Sequence, residues 1–244
     1  MKLSIIIPAY NEEKLIGRCL ASILAADIPV EHEVMVINNA STDKTKEVAQ
    51  SFRGVKVVDE PAKGLTKARQ AGFRASSGEI LVYFDADTII PKNWFKNALA
   101  IYDQNPQIVG VSGPYHYENL NLIEHFLEWL YYTVCFHGVN LIYKLIPNHG
   151  GIFLLGGNFS VRRRVIEKIE GFDTNIAFYG EDTNLTRRVA KYGKIKFTNR
   201  LKVISSPRRL RQQGVIKTLI LYISNFLSEF IFKRPISKDY RDIR

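Results

Sequence analysis

Cysteine is scarce: Cys19 and Cys135 are the two in 244 residues, with neither a disulfide framework nor metal-ligand spacing between them. A reducing, cytosolic setting is expected. Gly-x-Gly-x-x-Gly and Gly-x₄-Gly-Lys-Ser/Thr are both missing, which argues against a dehydrogenase and against a kinase or other NTPase. No run reaches the ~18 apolar residues of a membrane span, and the apolar stretch Leu3 to Ile7 is too short for a signal peptide and meets Pro8. Internal repeats and low-complexity tracts are absent. The five histidines (His32, His116, His125, His137 and His149) show no metal-site spacing. Acidic residues are outnumbered, 24 against 34 Lys and Arg, for a formal charge of +10. Such an excess implies an anionic partner: a nucleotide, a phospholipid surface, a phosphorylated acceptor or nucleic acid. No basic segment is interleaved with stacking aromatics in a nucleic-acid-binding module, so nucleic acid is not expected.

The composition is that of a globular chain, 46% apolar and 24% charged, long enough for one large domain or one domain with an appendage. Short β-rich runs at 3–7, 33–37, 55–58 and 80–84 alternate with helical patterns. Asn11 is expected to cap a helix through about Leu24, Ser41-Thr42-Asp43 to open one through about Phe52, and Thr66 to Ala75 to form a third. Proline at 91 suits the first turn of a helix reaching about Asn105. This alternation implies βαβ units and a mostly parallel sheet. An aromatic-rich apolar stripe over 119–145 reads as a core helix or a partner-binding face. A second apolar helix, over 215–232, carries Leu219, Ile220, Ile223, Phe226, Leu227 and Phe230, flanked by Arg208, Arg209, Arg211, Lys233 and Arg234. It suits either the membrane interface or packing on its own domain.

The fourth strand ends in Asp85-Ala86-Asp87. Two carboxylates one residue apart at the carboxyl end of a buried strand can hold a hard cation, Mg²⁺ or Mn²⁺, together with substrate phosphates. Ligands of open α/β sheets gather at such strand ends. Two solvated turn aspartates are the other reading, and Asp-x-Asp alone does not separate them. Asn39, after the second strand, could read a base edge with its amide donor and acceptor, or could lie in an ordinary turn. Lys63-Gly64-Leu65-Thr66, followed by Ala68-Arg69, is a basic loop opening a helix, suited to phosphate or ribose, or simply solvated. Tyr179-Gly180-Glu181-Asp182 opens a helix through Tyr192. Its carboxylates suit a helix N-terminus, and Asp182 could also serve as a general base.

Taken in order, Ile7-Pro8-Ala9-Tyr10-Asn11-Glu12, Asn39-Ala40-Ser41-Thr42-Asp43, Ala68-Arg69, Asp85-Ala86-Asp87, Gly156-Gly157-Asn158 and Glu181-Asp182 resemble a family 2 glycosyltransferase. The resemblance runs from residue 3 to about residue 213. It implies an inverting enzyme of the GT-A fold with a mostly parallel central sheet. A nucleotide-sugar-binding half would span 1–113, an acceptor and catalytic half 114–213, and an amphipathic helix and tail 214–244. Pro8, Ala9, Tyr10, Glu12 and Asn39 would surround the base and ribose, with Lys63, Arg69 and Ala86 nearby. Asp85 would contact ribose or metal, and Asp87 would bind Mn²⁺ or Mg²⁺. Gly157 and Asn158 would border the donor sugar and acceptor, with Asp182 as base beside Glu181. The partners implied are a UDP-sugar and a glycan or lipid-linked acceptor, handled in the cytoplasm at the inner face of the membrane.

Two departures from the family pattern stand out. Many relatives carry Asp-Asp where this chain has Asn38-Asn39, and many have a late histidine as metal ligand where it reads Val203-Ile204-Ser205-Ser206-Pro207-Arg208-Arg209. Arg208, Arg209 or Arg211 would then share the neutralisation of the leaving diphosphate. A sugar-1-phosphate nucleotidyltransferase would need a glycine-rich basic N-terminal loop that Pro8 to Glu12 does not supply. A non-catalytic membrane-peripheral binding protein would not need carboxylates at 85, 87 and 182.

Overall fold

The computed structural model describes residues 1–118, 120, 122, 124–125, 153–176, 178–234 and 236–237. The stripe expected over 119–145 lies mostly outside the described residues. Four parallel strands, β1 (Leu3–Ala9), β2 (His32–Asn38), β3 (Val55–Asp59) and β4 (Ile80–Phe84), alternate with α1 (Ile16–Leu24), α2 (Thr45–Gln50) and α3 (Leu65–Ala75). After β4 come β5 (Thr88–Ile89), α4 (Trp94–Gln104), β6 (Ile108–Ser112) and β7 (Tyr115–Tyr117). Then follow β8 (Asn158–Arg162), α5 (Arg163–Lys168), α6 (Glu181–Val189), β9 (Lys194–Phe197) and β10 (Val203–Ser205). Two last helices, α7 (Arg208–Gln213) and α8 (Val215–Phe232), complete the described elements.

The main sheet has seven strands in the order β3-β2-β1-β4-β8-β6-β9, with β8 antiparallel to both of its neighbours. Every residue of β1 and β4 is buried, as strands covered by helices on both faces must be. The period-2 alternation divides the core in two. Leu3, Ile5 and Ile7 pack with α1 and α4, while Ile6, Met35 and Ile37 pack with Ala68 of α3 and Leu185 of α6.

A second sheet, β5-β10-β7, places three chemistry-bearing segments side by side. β5 follows Asp87 by one residue, β7 begins with Tyr115, and β10 ends three residues before Arg208. Behind it Trp94 lies edge-on to Phe84 and donates Nε1–H to Asn158 Oδ1 and Leu201 O, both at 3.0 Å.

Three local expectations are corrected. The first strand does not stop with the run at 3–7 but passes through Pro8 to Ala9 beside β2. Because Ala9 O accepts from Asn39 N, the backbone of Pro8 faces the other edge, where pairing with β4 has stopped at Ile6. Its missing N–H therefore leaves no ladder bond unmade. Asn11 caps no helix: α1 begins at Ile16, and Asn11 adopts φ +51°, a left-handed conformation that asparagine tolerates. Its Oδ1 accepts from Thr42 N at 2.8 Å, so it ties the β1–α1 loop to the β2–α2 loop. α2 starts at Thr45 rather than after Ser41, and Asp43 Oδ1 accepts from Thr45 N.

Helix α8 has the expected span with an unexpected orientation. Thr218, Asn225, Ser228 and Glu229 are buried, while Ile220 is 63% exposed and Ile223 also faces out. Glu229 Oε1 accepts from Asn184 Nδ2 at 3.0 Å and pairs with Arg187 at 3.3 Å, both on α6. Among the described residues no helix is long and apolar enough to cross a membrane.

Trp94→Phe tests the bracing behind the site. It keeps an aromatic ring in place but removes the donor to the buried Asn158 Oδ1, at a cost of about 1–3 kcal/mol. The urea midpoint should fall accordingly, and an unchanged midpoint would contradict the bracing role.

Candidate active site

Asp85 leaves β4 with its backbone pinned: its N–H donates to Gly157 O at 3.2 Å, and its carbonyl accepts from Thr88 Oγ1 at 2.7 Å. Its side chain is held by Tyr115, which donates to Asp85 Oδ2 at 3.2 Å and accepts from Gly157 N at 2.8 Å. Glycine is required at 157 by space, because a Cβ there would lie 2.0 Å from Asp85 Oδ2 and 2.5 Å from the Tyr115 hydroxyl. A turn some seventy residues away in the chain thus fits around this carboxylate. Tyr115 has no counterpart in the sequence reading, since nothing marks one tyrosine of an exposed-looking Tyr-His-Tyr as facing an aspartate.

The preceding residue joins that turn to α6. A Cβ at Gly156 would lie 2.7 Å from Glu181 Oε1 and 3.8 Å from Asp182 Cβ. Arg69, only 1% exposed, donates Nη1–H to Glu181 Oε2 and Nη2–H to Gly156 O. Burial disfavours its charge, but the carboxylates of Glu181, Asp85 and Asp182 together hold its pKa above the usual value. Burial likewise pushes Glu181 up to about 8, against the pull of Arg69. Gly180, at φ +79°, supplies the left-handed residue from which α6 starts, so both acids fall in its first turn. Asp182 Oδ1 accepts from Thr183 N at 2.7 Å. Although Asp182 retains some exposure, the protein packed around it disfavours its charge and raises its pKa above the ordinary range.

On the other side of the diad, Glu12 is buried just beyond β1, its N–H donating to Thr45 Oγ1 at 2.7 Å. Arg208 donates Nη2–H to Glu12 Oε1 at 2.7 Å, and the same nitrogen lies 3.6 Å from Asp87 Oδ2. Lys63 Nζ sits 3.9 Å from the centre of the Tyr10 ring, so those two expected residues also meet. The guanidinium of Arg209 lies 4.5 Å from the Phe178 ring, whereas Arg211 is exposed in the last turn of α7.

Five expected residues are buried instead. Asn39 spends its amide on the backbone: Nδ2 donates to Glu60 O and Ala62 O, and Oδ1 accepts from Gly64 N. It shapes the loop that carries Lys63 rather than presenting an edge to a base. Asn158 is fully buried, with Nδ2 donating to Gly113 O at 2.8 Å and Leu201 O at 2.7 Å, so its amide is spent on the backbone. Ala86 packs into the core beneath the two aspartates. Pro8 and Ala9 are buried in β1.

The donor set suits a hard divalent cation. Asp85 and Asp87 supply two carboxylates at one strand end, and no cluster of three His, Cys, Asp or Glu joins them among the described residues. That matches the pattern in which substrate phosphates complete the coordination of Mg²⁺ or Mn²⁺.

Comparison with known proteins identifies the class. Residues 4–170 match the family model "Glycosyl transferase family 2", and the chain belongs to that family. A curated relative from Bacillus subtilis, "Probable glycosyltransferase YdaM", is 30% identical over 209 residues, 79% of this chain and 47% of the relative. The chain therefore spans about half of that relative's length. Among solved structures, S. aureus TarS 1-349 in complex with UDP-GlcNAc superposes with a TM-score of 0.66 at 20% identity, over 95% of this chain and 73% of that one. The mannosyltransferase PcManGT from Pyrobaculum calidifontis, in complex with GDP-Man and Mn²⁺, gives 0.68 at 22% identity, over 88% and 62%. The fold is GT-A, as the sequence implies.

Gly157→Ala tests the turn that fits around Asp85. The added methyl has no room, so Asp85 and the Tyr115 hydroxyl must move. Affinity for Mn²⁺ with a nucleoside diphosphate, measured by calorimetry, should fall at least about 10-fold, since ~1 Å of misplacement at a site can itself cost 10²-fold. An unchanged affinity would separate Gly157 from the site.

Proposed function

We propose that this chain is an inverting glycosyltransferase that moves a sugar from a nucleotide-sugar, a UDP-sugar in the first instance, to a glycan or lipid-linked acceptor. The observation that carries the reading is the Gly156-Gly157 turn, which touches Asp85 on one side and Glu181 and Asp182 on the other. In this reading the carboxylates that would face the diphosphate and the one that would act as base flank a single turn.

In this reading Asp182 accepts the proton of an acceptor hydroxyl as that oxygen attacks the anomeric carbon. The bond from that carbon to the diphosphate oxygen breaks on the opposite face, and the configuration inverts in one displacement. The raised pKa of Asp182 suits it to this role, because a stronger base takes the proton more readily. Glu181 is held by Arg69 and positions Asp182 rather than reacting. A divalent cation bound by Asp85 and Asp87 would stabilise charge developing on the leaving nucleoside diphosphate. Arg208, 3.6 Å from Asp87, would share that neutralisation together with Arg209, and Tyr10, Glu12 and Lys63 would line the nucleotide side.

Donor choice is tested by screening UDP- and GDP-sugars for Mn²⁺-dependent release of UDP or GDP. With the accepted donor and a hydroxyl acceptor, Asp182→Asn should lower kcat about 10²–10⁴-fold. The pH profile gives the sign. The base works deprotonated, so activity climbs as pH rises through its pKa, which is raised and so lies above the ordinary carboxylate value of about 4. That acid limb should vanish in the variant. Near-normal turnover would remove Asp182 from the role and would point to an acceptor already ionised, such as a lipid phosphate.

The acceptor side is proposed to meet the inner face of a membrane. α8 exposes Ile220 and Ile223, with Phe232 and Ile236 beyond them 65% exposed, and Lys217, Lys233 and Arg234 are exposed on the same segment. An exposed apolar stripe flanked by bases suits the interface of an anionic bilayer, each Lys or Arg adding about 1 kcal/mol near the surface. Sedimentation with phosphatidylserine vesicles should exceed that with phosphatidylcholine alone. The pair Ile220→Glu, Ile223→Glu should lower it at least about 10-fold. Equal recovery of both proteins on both vesicles would contradict membrane contact through this helix.

A further inference from the structure

The nucleotide-sugar reading leaves one contact without a role. Arg208 reaches across from α7 into the cleft and lies between two carboxylates from different strand ends, Glu12 at 2.7 Å and Asp87 at 3.6 Å. Its placement is built rather than incidental. β10, just before it, pairs with β5, just after Asp87, in the register Ser205↔Thr88. Glu12, almost wholly buried, holds the guanidinium from behind.

A fixed cation at this distance from Asp87 repels any second cation approaching the same carboxylate. A divalent ion alone therefore meets a ligand already neutralised. A metal arriving with a diphosphate meets a different balance, because the phosphates offer Arg208 an anion in exchange. Guanidinium suits the exchange, with five donors in a fork that matches phosphate as well as carboxylate.

We propose that Arg208 is the resident counter-cation of the diphosphate site: it neutralises Asp87 in the donor-free chain and passes to the donor's phosphates when a divalent cation takes Asp87. The proposal rests on the nucleotide-sugar reading and adds to it an order of assembly. Metal and nucleotide bind weakly apart and strongly together, and because linkage is reciprocal each raises the affinity of the other by the same factor.

The test is Mn²⁺ binding, followed by electron paramagnetic resonance and calorimetry, with and without UDP or GDP, on the wild-type chain and on Arg208→Met. Without nucleotide the variant should bind Mn²⁺ about 5–50-fold more tightly, since a unit charge near 4 Å is worth about 1 kcal/mol in water-like surroundings and about twice that against a divalent ion. With Mn²⁺ present its affinity for the nucleotide should fall, so the coupling factor shrinks from both ends. A purely structural Arg208 would not raise metal affinity when removed. The double variant E12Q/R208M also removes the buried charge that Arg208 balances, and it carries the same expectation if the single variant unfolds. Nucleotide binding by both proteins, with metal affinity in the variant equal or lower, would overturn the inference alone. Retention of the tightened Mn²⁺ site after adding Asp87→Asn would also overturn it. A wild-type chain that binds neither UDP nor GDP would overturn the nucleotide-sugar reading and the inference with it.

Discussion

The site depends on one buried cation. Arg69 comes from α3, in the first half of the chain, and ends between Glu181 of α6 and the carbonyl of Gly156. A guanidinium this deep must be matched by anions and acceptors, since removing one partner of a buried pair costs about 3–5 kcal/mol. The match fixes two things together. Holding Gly156 sets the turn into β8, and so the position of Gly157 against Asp85 and Tyr115. Holding Glu181 sets the first turn of α6, and so the position of Asp182. Asp85 and Asp182, the proposed metal ligand and the proposed base, are placed relative to each other by a residue that need touch no substrate.

The small β5-β10-β7 sheet makes the second tie. It joins the segments beside Asp87, Tyr115 and Arg208, which come from distant parts of the chain. Its strands are short, but Asn158 and Trp94 brace the loop behind it through Leu201 O. The carboxylate pair thus lies between two rigid supports. One reaches it through Arg69 and the glycine turn, the other through a strand register. The first is a buried side-chain ion pair that holds a backbone turn and the second a strand pairing, and both exist without a ligand.

Much of this was legible in the sequence, for identifiable reasons. Runs such as Ile80 to Phe84 are short, apolar and flanked by polar turns, and they fall in β4 as expected. The alternation of runs pointed to a mostly parallel sheet, and the order of motifs carried the resemblance that implied the GT-A fold. What could not be read was which polar side chains at that edge turn inward. Asn39 and Asn158 stand in motif positions, yet the backbone takes their amides, because a loop and a strand end buried there needed donors and acceptors. Tyr115 and the Arg69–Glu181 pair were missed as contacts for the same reason. Only the packing of separate strands reveals who faces whom. Asn11 failed as a cap because its left-handed backbone turns the chain before the helix begins.

Helix α8 shows how the same physics reaches beyond the cleft. A helix packed by hydrophobic burial alone would turn its isoleucines inward. Here Glu229 is 0% exposed and bound to Asn184 and Arg187, so polar pairing decides which face is hidden. Both partners belong to α6, the helix that carries Asp182. The segment that turns isoleucine outward is therefore tied by a buried carboxylate to the helix bearing the proposed base. At its other end, through α7, it delivers Arg208 to Asp87. A surface that meets the exposed face of α8 would act on a rod already joined to both halves of the chemistry. Its inward polarity follows from that connection, and its outward apolar face is the consequence.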